Sequence, residues 1–242
     1  MQNRQPAVNV MDFMDFDPDA VRRMVNFFYS GVLPCSLAEA PELLTLAIKL
    51  QVPSVKAMIE KFVIQKAAEL GSLLDCWNIT CNKNSEFSIR AKDIVLSYVI
   101  RNLEQMVLDP RFSQLDQSAV EALLRRNKLP VRTEADVMRL ALIYFVLRQG
   151  HVNAQSLMNV VRYNCDDNTI IQMRQDVMCV DDEMLLHSFE HNCAYGMWQT
   201  RRFFSDDDLW PESEMLPPRG QMDADCNWIL AQFSSMVQYL PA

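Results

Sequence analysis

The chain has 242 residues, half of them hydrophobic and 22% charged, which is apolar material for one large core or two smaller ones and too much for a disordered polymer. Its 31 acidic side chains outnumber 23 basic ones, for a net charge of −8, and no Lys/Arg stripe able to neutralise a phosphate backbone runs through it, so nucleic acid is not an expected partner. No apolar run approaches the roughly 20 residues needed to cross a bilayer, and Met1 to Pro6 lack the apolar stretch of a secretory signal, so the expectation is an intracellular protein, cytoplasmic or nuclear, with no membrane partner.

Taken in chain order, the first signal is a short extended segment at 7–13, with no convincing second strand after it to pair its backbone groups. Asp17 and Pro18 then open a helix, the aspartate as cap and the proline at the first helical position, with Val21, Met24, Val25 and Phe28 as its apolar face and Gly31 as a left-handed stop. Ser36 and Glu39 have the spacing of a capping box ahead of the apolar run from Leu43 to Leu50. After Pro53, the positions of Val55, Met58, Ile59, Phe62 and Val63 follow a 3.6-residue period closely, which predicts a helix with all five inward.

The same period predicts helices over 72–82, 86–102 (Ala91, Ile94, Val95, Tyr98 and Val99 inward), 117–126 and 134–148. Asp166 or Asp167 can cap a further helix carrying Ile170, Ile171 and Met173, and another is expected from about 181 to 195. Only five glycines occur, which disfavours turn-dense sheet architectures. Periodicity lapses over 204–225, where Asp206 to Asp208 and Pro217-Pro218 suit a solvated linker, and returns over 228–240 in an amphipathic helix free either to dock back or to bind elsewhere.

No catalytic constellation is visible: nucleophile elbow, P-loop and dinucleotide-binding glycine motifs are all missing, so neither an enzyme nor a cofactor is expected. The seven cysteines (35, 76, 81, 165, 179, 193, 226) form no CxxC pair and read as small buried hydrophobes in a reducing compartment. His187 and His191, four apart on a helix near Cys193 and Cys179, have a spacing that a metal could use, but without a supporting motif they read as an ordinary solvated or partly buried pair, with no metal expected. The carboxylates at 181–183 fit a helix start, where they complement the dipole. Met24, Met58 and Met138 are read as core, although methionine faces also serve as adaptable binding surfaces.

The succession of landmarks carries a family resemblance. Phe28 to Gly31 after an amphipathic helix, followed by a helix end at Ala47 to Val52, resembles the C-terminal half of BTB (POZ) domains. Cys76-Trp77, Tyr98 to Leu103, Phe112 to Leu115, Leu123-Leu124, Leu129 to Glu134 and Val137-Met138 resemble, in order, the helix landmarks of the BACK domain that follows BTB in kelch-like proteins. Val160 to Tyr163 resembles a later helix of that domain. Three departures stand out: Asp75 where the family usually has Asn, Trp77 in place of Leu, and Tyr144 in place of Trp.

The resemblance implies a mainly α fold, with the C-terminal helical part of a BTB domain followed by a BACK array of helical hairpins and at most one or two short strands near the N-terminus. The expected division is a partial BTB domain at 1–68, BACK at 69–200, and an acidic, proline-containing linker with a C-terminal helix at 201–242. The half of BTB that carries the dimerisation helix, and the kelch propeller, are not expected in the chain. In that family BTB and the first BACK helices hold cullin-3 while a further domain captures the protein to be ubiquitinated. By resemblance, Tyr29, Gly31 and Leu33 and the helix pair 72–102, with Cys76 and Trp77 on it, face the cullin, while for an isolated tyrosine the simpler reading is a packed ring with a bonded hydroxyl. The implied function is a substrate adaptor of cullin-3 ubiquitin ligases, binding cullin-3 weakly in this form, together with other BTB proteins and an unidentified substrate protein. The other reading is a ligase-independent scaffold for BTB, cytoskeletal or transcriptional partners.

Overall fold

A computed structural model of the chain describes residues 13–82, 84–202 and 226–238, with 195–202 as helix backbone alone. The segments expected to be extended (7–12) and linker-like (204–225) lie outside the described residues. Among the described residues there are helices and no strand: α1 (Pro18–Ser30), α2 (Ala40–Lys49), α3 (Pro53–Ala67), α4 (Leu70–Cys81), α5 (Ile89–Arg101), α6 (Leu103–Leu108), α7 (Gln117–Leu124), α8 (Glu134–Leu147), α9 (Ala154–Met158), α10 (Asp167–Val180), α11 (Glu183–Arg202) and α12 (Asn227–Val237).

The caps decide where these helices begin and end. Asp17 accepts a hydrogen bond from the Asp19 amide, Pro18 occupies the first turn, and Gly31 closes α1 at φ 70°, a region in which a side chain is strained. Only half of the expected capping box forms at Ser36: the Glu39 carboxylate accepts from the Ser36 amide at 3.1 Å, but the Ser36 hydroxyl donates to the same carboxylate at 2.7 Å. The helix accordingly starts one residue after Glu39, at Ala40. Asp166 caps α10 by accepting from the Thr169 amide. Asp181, expected at a helix start, instead takes the left-handed conformation that ends α10 (φ 55°), and Asp182 accepts from the Leu185 amide to begin α11.

The first five helices pack in consecutive pairs: α1 on α2, α2 on α3, α3 on α4, and α4 with α5, which returns against α3. Val55, Ile59, Val63 and Ala67 form the buried edge of α3, four residues apart at every step. Met58 is 43% exposed and Phe62 half-buried, so the inward arc is narrower than the periodicity suggests, because α3 meets its neighbours over one stripe only. The Glu60 carboxylate ties α3 to the start of α5, accepting from the Ser88 amide at 2.8 Å and the Ser88 hydroxyl at 3.0 Å.

The second half is organised around α8, which α7, α9, α10, α12 and the 3-10 turn Pro110–Gln114 all contact. Twelve of its fourteen side chains are buried, from Glu134 to Phe145, among them Glu134, Asp136 and Arg139. Charges in such a place must be paired. The Arg139 guanidinium lies 3.1 Å from Asp136 and 2.9 Å from Asp176 on α10; the second contact is close but out of line for a hydrogen bond. Burial pushes the Asp176 carboxyl above its ordinary range, with Arg139 pulling the other way.

Val160 to Tyr163, expected as a helix, is an irregular buried segment after α9. All four side chains are buried, so no solvent face remains to set a helical period. The backbone amide of Arg162 donates to Glu134, and its guanidinium to the Arg125 carbonyl and to Asn127. These long-range partners replace an intrahelical ladder.

Replacing Arg139 by Ala removes the cation between two buried carboxylates and should lower unfolding stability by about 3–5 kcal/mol. Ile59→Ala in the α3 stripe should cost about 2–5 kcal/mol, against about 0.5 kcal/mol or less for the neighbouring Met58→Ala. Urea unfolding of the three variants checks both statements; equal costs at 58 and 59 would contradict the stripe.

Candidate partner-binding surface

On the amphipathic helix α1 the side chains of Ala20 and Met24 are buried and Val21 and Phe27 pack at the margin of the core, while Val25, Phe28 and Tyr29 face solvent. Tyr29 is 88% exposed, Phe28 53% and Val25 46%, and Val32, just past the helix, 65%. Val25 and Phe28 were expected inward. Phe27, Phe28 and Tyr29 are consecutive, however, and at about 100° per residue three successive rings cannot share one face. That run is the sequence signal for the exposed patch.

The turn that carries the patch is firmly held. The Gly31 amide donates to the Phe27 carbonyl at 2.8 Å, and the Ser30 hydroxyl donates to the Asn26 carbonyl at 2.8 Å while accepting from the Val32 amide at 3.2 Å. Nothing lies within 4 Å of a Cβ built on Gly31, so the requirement for glycine comes from its backbone angle alone. Leu33 is half-buried against the core and anchors the chain behind the turn. A shallow recess lined by Arg23, Asn26, Tyr29, Ser30, Val32 and Pro34 opens beside the tyrosine. Arg23 reaches Glu39 at 2.5 Å, and the hydrogen bonds from Ser36, followed by Arg23, hold the Glu39 carboxyl below its ordinary range. A rim of fixed charge around exposed rings is the usual anatomy of a protein-binding surface.

Tyr29 and Gly31 therefore lie together on an accessible corner, with Leu33 beneath. Cys76 and Trp77 do not join them, and this corrects their expected place on a partner-facing surface: both are buried in the core of α4. Trp77 donates its indole N–H to the Ala119 carbonyl on α7 at 3.1 Å. Helix α4 is enclosed by α3, α5 and α7, so its landmark residues have no route to a partner. The accessible side of this helix pair is carried by other residues, Leu70 and Ile89, which begin α4 and α5 and are both exposed.

The other departures from the family pattern also find partners. Tyr144 donates its hydroxyl to the Leu115 carbonyl at 2.7 Å and sets its ring edge-on to Phe112, and burial pushes its phenol up. Asp75 sits 3.4 Å from Arg111, which is held chiefly by Asp109 at 2.8 Å.

His187 and His191 are exposed while Cys193 is buried, and among the described residues no group of three or more His, Cys, Asp or Glu side chains is placed to hold a metal. Among the described residues no disulfide forms. Burial, ahead of any neighbouring charge, pushes the thiols of Cys76, Cys81 and Cys165 up to about 12 and that of Cys35 to about 11. Cys193 is raised by the same cause, Cys226 is buried, and Cys179 is the exposed thiol. Titration of the native protein with a thiol reagent near pH 7.5 should show one fast equivalent, absent in Cys179→Ser, and seven in denaturant. A fast phase that survives in Cys179→Ser would mean that another thiol is open.

Among the described residues no helix is long and apolar enough to cross a membrane. Comparison with known proteins matches residues 1–67 to the BTB/POZ domain and residues 86–184 to the domain described as BTB And C-terminal Kelch. The chain is 25% identical over 166 residues to Kelch-like protein 22 of Ailuropoda melanoleuca and of Homo sapiens, and 24% identical over 165 residues to that of Mus musculus. Each match covers 65% of this chain and 25% of the relative, so the chain spans about a quarter of the length of the relatives it matches.

Proposed function

The chain belongs to the BTB–BACK proteins, a family of protein-interaction adaptors, and we propose that it binds the N-terminal domain of cullin-3 through the corner formed by Tyr29, Gly31 and Leu33, as an adaptor of a ubiquitin ligase. The observation that supports this reading is the apolar patch of Val25, Phe28, Tyr29 and Val32, exposed at the end of a helix that packs on the core through Ala20 and Met24. An exposed apolar cluster of this kind with charged neighbours marks an interaction site on a soluble protein. Its turn is rigid through Gly31 and Ser30, so little ordering entropy opposes docking. On the helix pair α4 and α5, Leu70 and Ile89 replace Cys76 and Trp77 as the side chains able to touch a partner. A relay of packed helices links the corner to the rest of the chain: α1 rests on α2, α2 on α3, and α3 on both α4 and α5.

Calorimetric titration with the cullin-3 N-terminal domain tests the assignment. Tyr29→Ala should weaken binding by more than about 1 kcal/mol if the ring is an interface anchor. Its thermal melt should match the parent, since an 88% exposed ring supports little of the core. Unchanged affinity in Tyr29→Ala would remove the corner from the interface, and no binding by the parent chain would leave the ligase-independent scaffold as the better account.

A further inference from the structure

Helix α12 lies outside both family matches, which end at residue 184, yet it rests on the central helix of the second half. Its seat is formed by α8 and the turn before it. Ile229 and Phe233, four residues apart, are buried there with Cys226, and Trp228, Met236 and Val237 pack at the margin. Two polar contacts fix the register at one end: the Cys226 thiol donates to the Pro130 carbonyl at 3.2 Å, and Arg132 donates to the Asn227 side chain at 3.2 Å. From Asn227 to Val237 there is no charged side chain, so no ion pair locks α12 down, and Leu230 points outward at 41% exposure.

We infer that the α8 surface is a helix-binding groove and that α12 is its intramolecular ligand. The groove is selective for an uncharged amphipathic helix with an aliphatic and an aromatic anchor at i and i+4, the helix-in-groove mode of recognition. Of the helices, α12 makes its extensive contacts with α8 alone, whereas α8 retains α7, α9, α10 and the 3-10 turn when α12 departs. Most of the elements that hold α8 in place are therefore other than α12. Tethering raises the local concentration of α12 to about millimolar, so a groove with modest intrinsic affinity stays filled in cis and opens by local undocking. This inference is independent of the cullin-facing corner, which lies on α1.

The test uses the full chain. In the wild type, hydrogen exchange should be faster for the α12 amides than for those of α8. In Ile229→Asp/Phe233→Asp, which undocks the helix, a fluorescent peptide of residues 226–238 should bind saturably by anisotropy. The wild-type chain, with its groove occupied, should bind it about tenfold or more weakly, and a peptide carrying both Asp substitutions should not bind. Leu230→Asp, on the outward side, should behave as wild type. The proposal is overturned if α12 and α8 exchange together in the wild type, if the double variant loses helical circular dichroism beyond the share of α12, or if the folded double variant fails to take up the peptide.

Discussion

The fold of the second half depends on enclosing a helix that carries charge. Helix α8 buries Glu134, Asp136 and Arg139 along with its apolar side chains, and a buried charge without a partner costs several kcal/mol. The neighbours of α8 are therefore chosen by polar chemistry as well as by shape. Asp176 brings α10 to Arg139, and Glu134 draws the irregular segment at Arg162 across the start of the helix. Tyr144 reaches the Leu115 carbonyl and thereby holds the turn that precedes α7. Each of these contacts joins residues at least 28 positions apart, which gives the packed helices one register instead of several.

The first half follows the opposite rule. Its core is an apolar stripe along α3, with Leu43, Leu44, Leu46 and Ala47 of α2 also buried, and its charged side chains stay at or near the surface, with Glu60 reaching Ser88 as the long-range polar tie between α3 and α5. Because each helix there needs only one packed side, an amphipathic helix such as α1 can leave rings in solvent. The corner at Tyr29 is a consequence of that economy of contact: Ala20, Met24, Val21 and Phe27 hold α1, and Val25, Phe28 and Tyr29 are left available for recognition. Gly31 and Ser30 keep this surplus in one shape.

The departures from the family pattern show how a packed helical array absorbs change. Trp77 is larger than the leucine it replaces but spans the gap to α7 and satisfies its N–H on a carbonyl there. Tyr144 is smaller than tryptophan, and its hydroxyl turns the shortfall into a hydrogen bond with the 3-10 turn. Both rings are buried, and both satisfy their polar atom on a backbone carbonyl of a neighbouring element.

Local chemistry made much of the molecule legible from the sequence. Asp17, Pro18, Gly31 and Asp166 act through backbone groups a few residues away, so their caps could be read without knowing the fold. The stripe Val55–Ile59–Val63 was visible for the same reason, since helical period is a local property. How wide the buried arc is, and on which side of a doubly apolar helix it falls, depends on which helix arrives next. Met58, Val25 and Phe28 are exposed and Cys76 and Trp77 enclosed for that reason. The buried helix α8 has almost no polar side from which its orientation could be read, and the segment at Val160 is bent out of helical form by partners 28 to 37 residues earlier. Composition and spacing established what each segment of chain can bury; tertiary structure alone decided what it meets, because packing partners are distant in sequence and a periodic pattern carries no address.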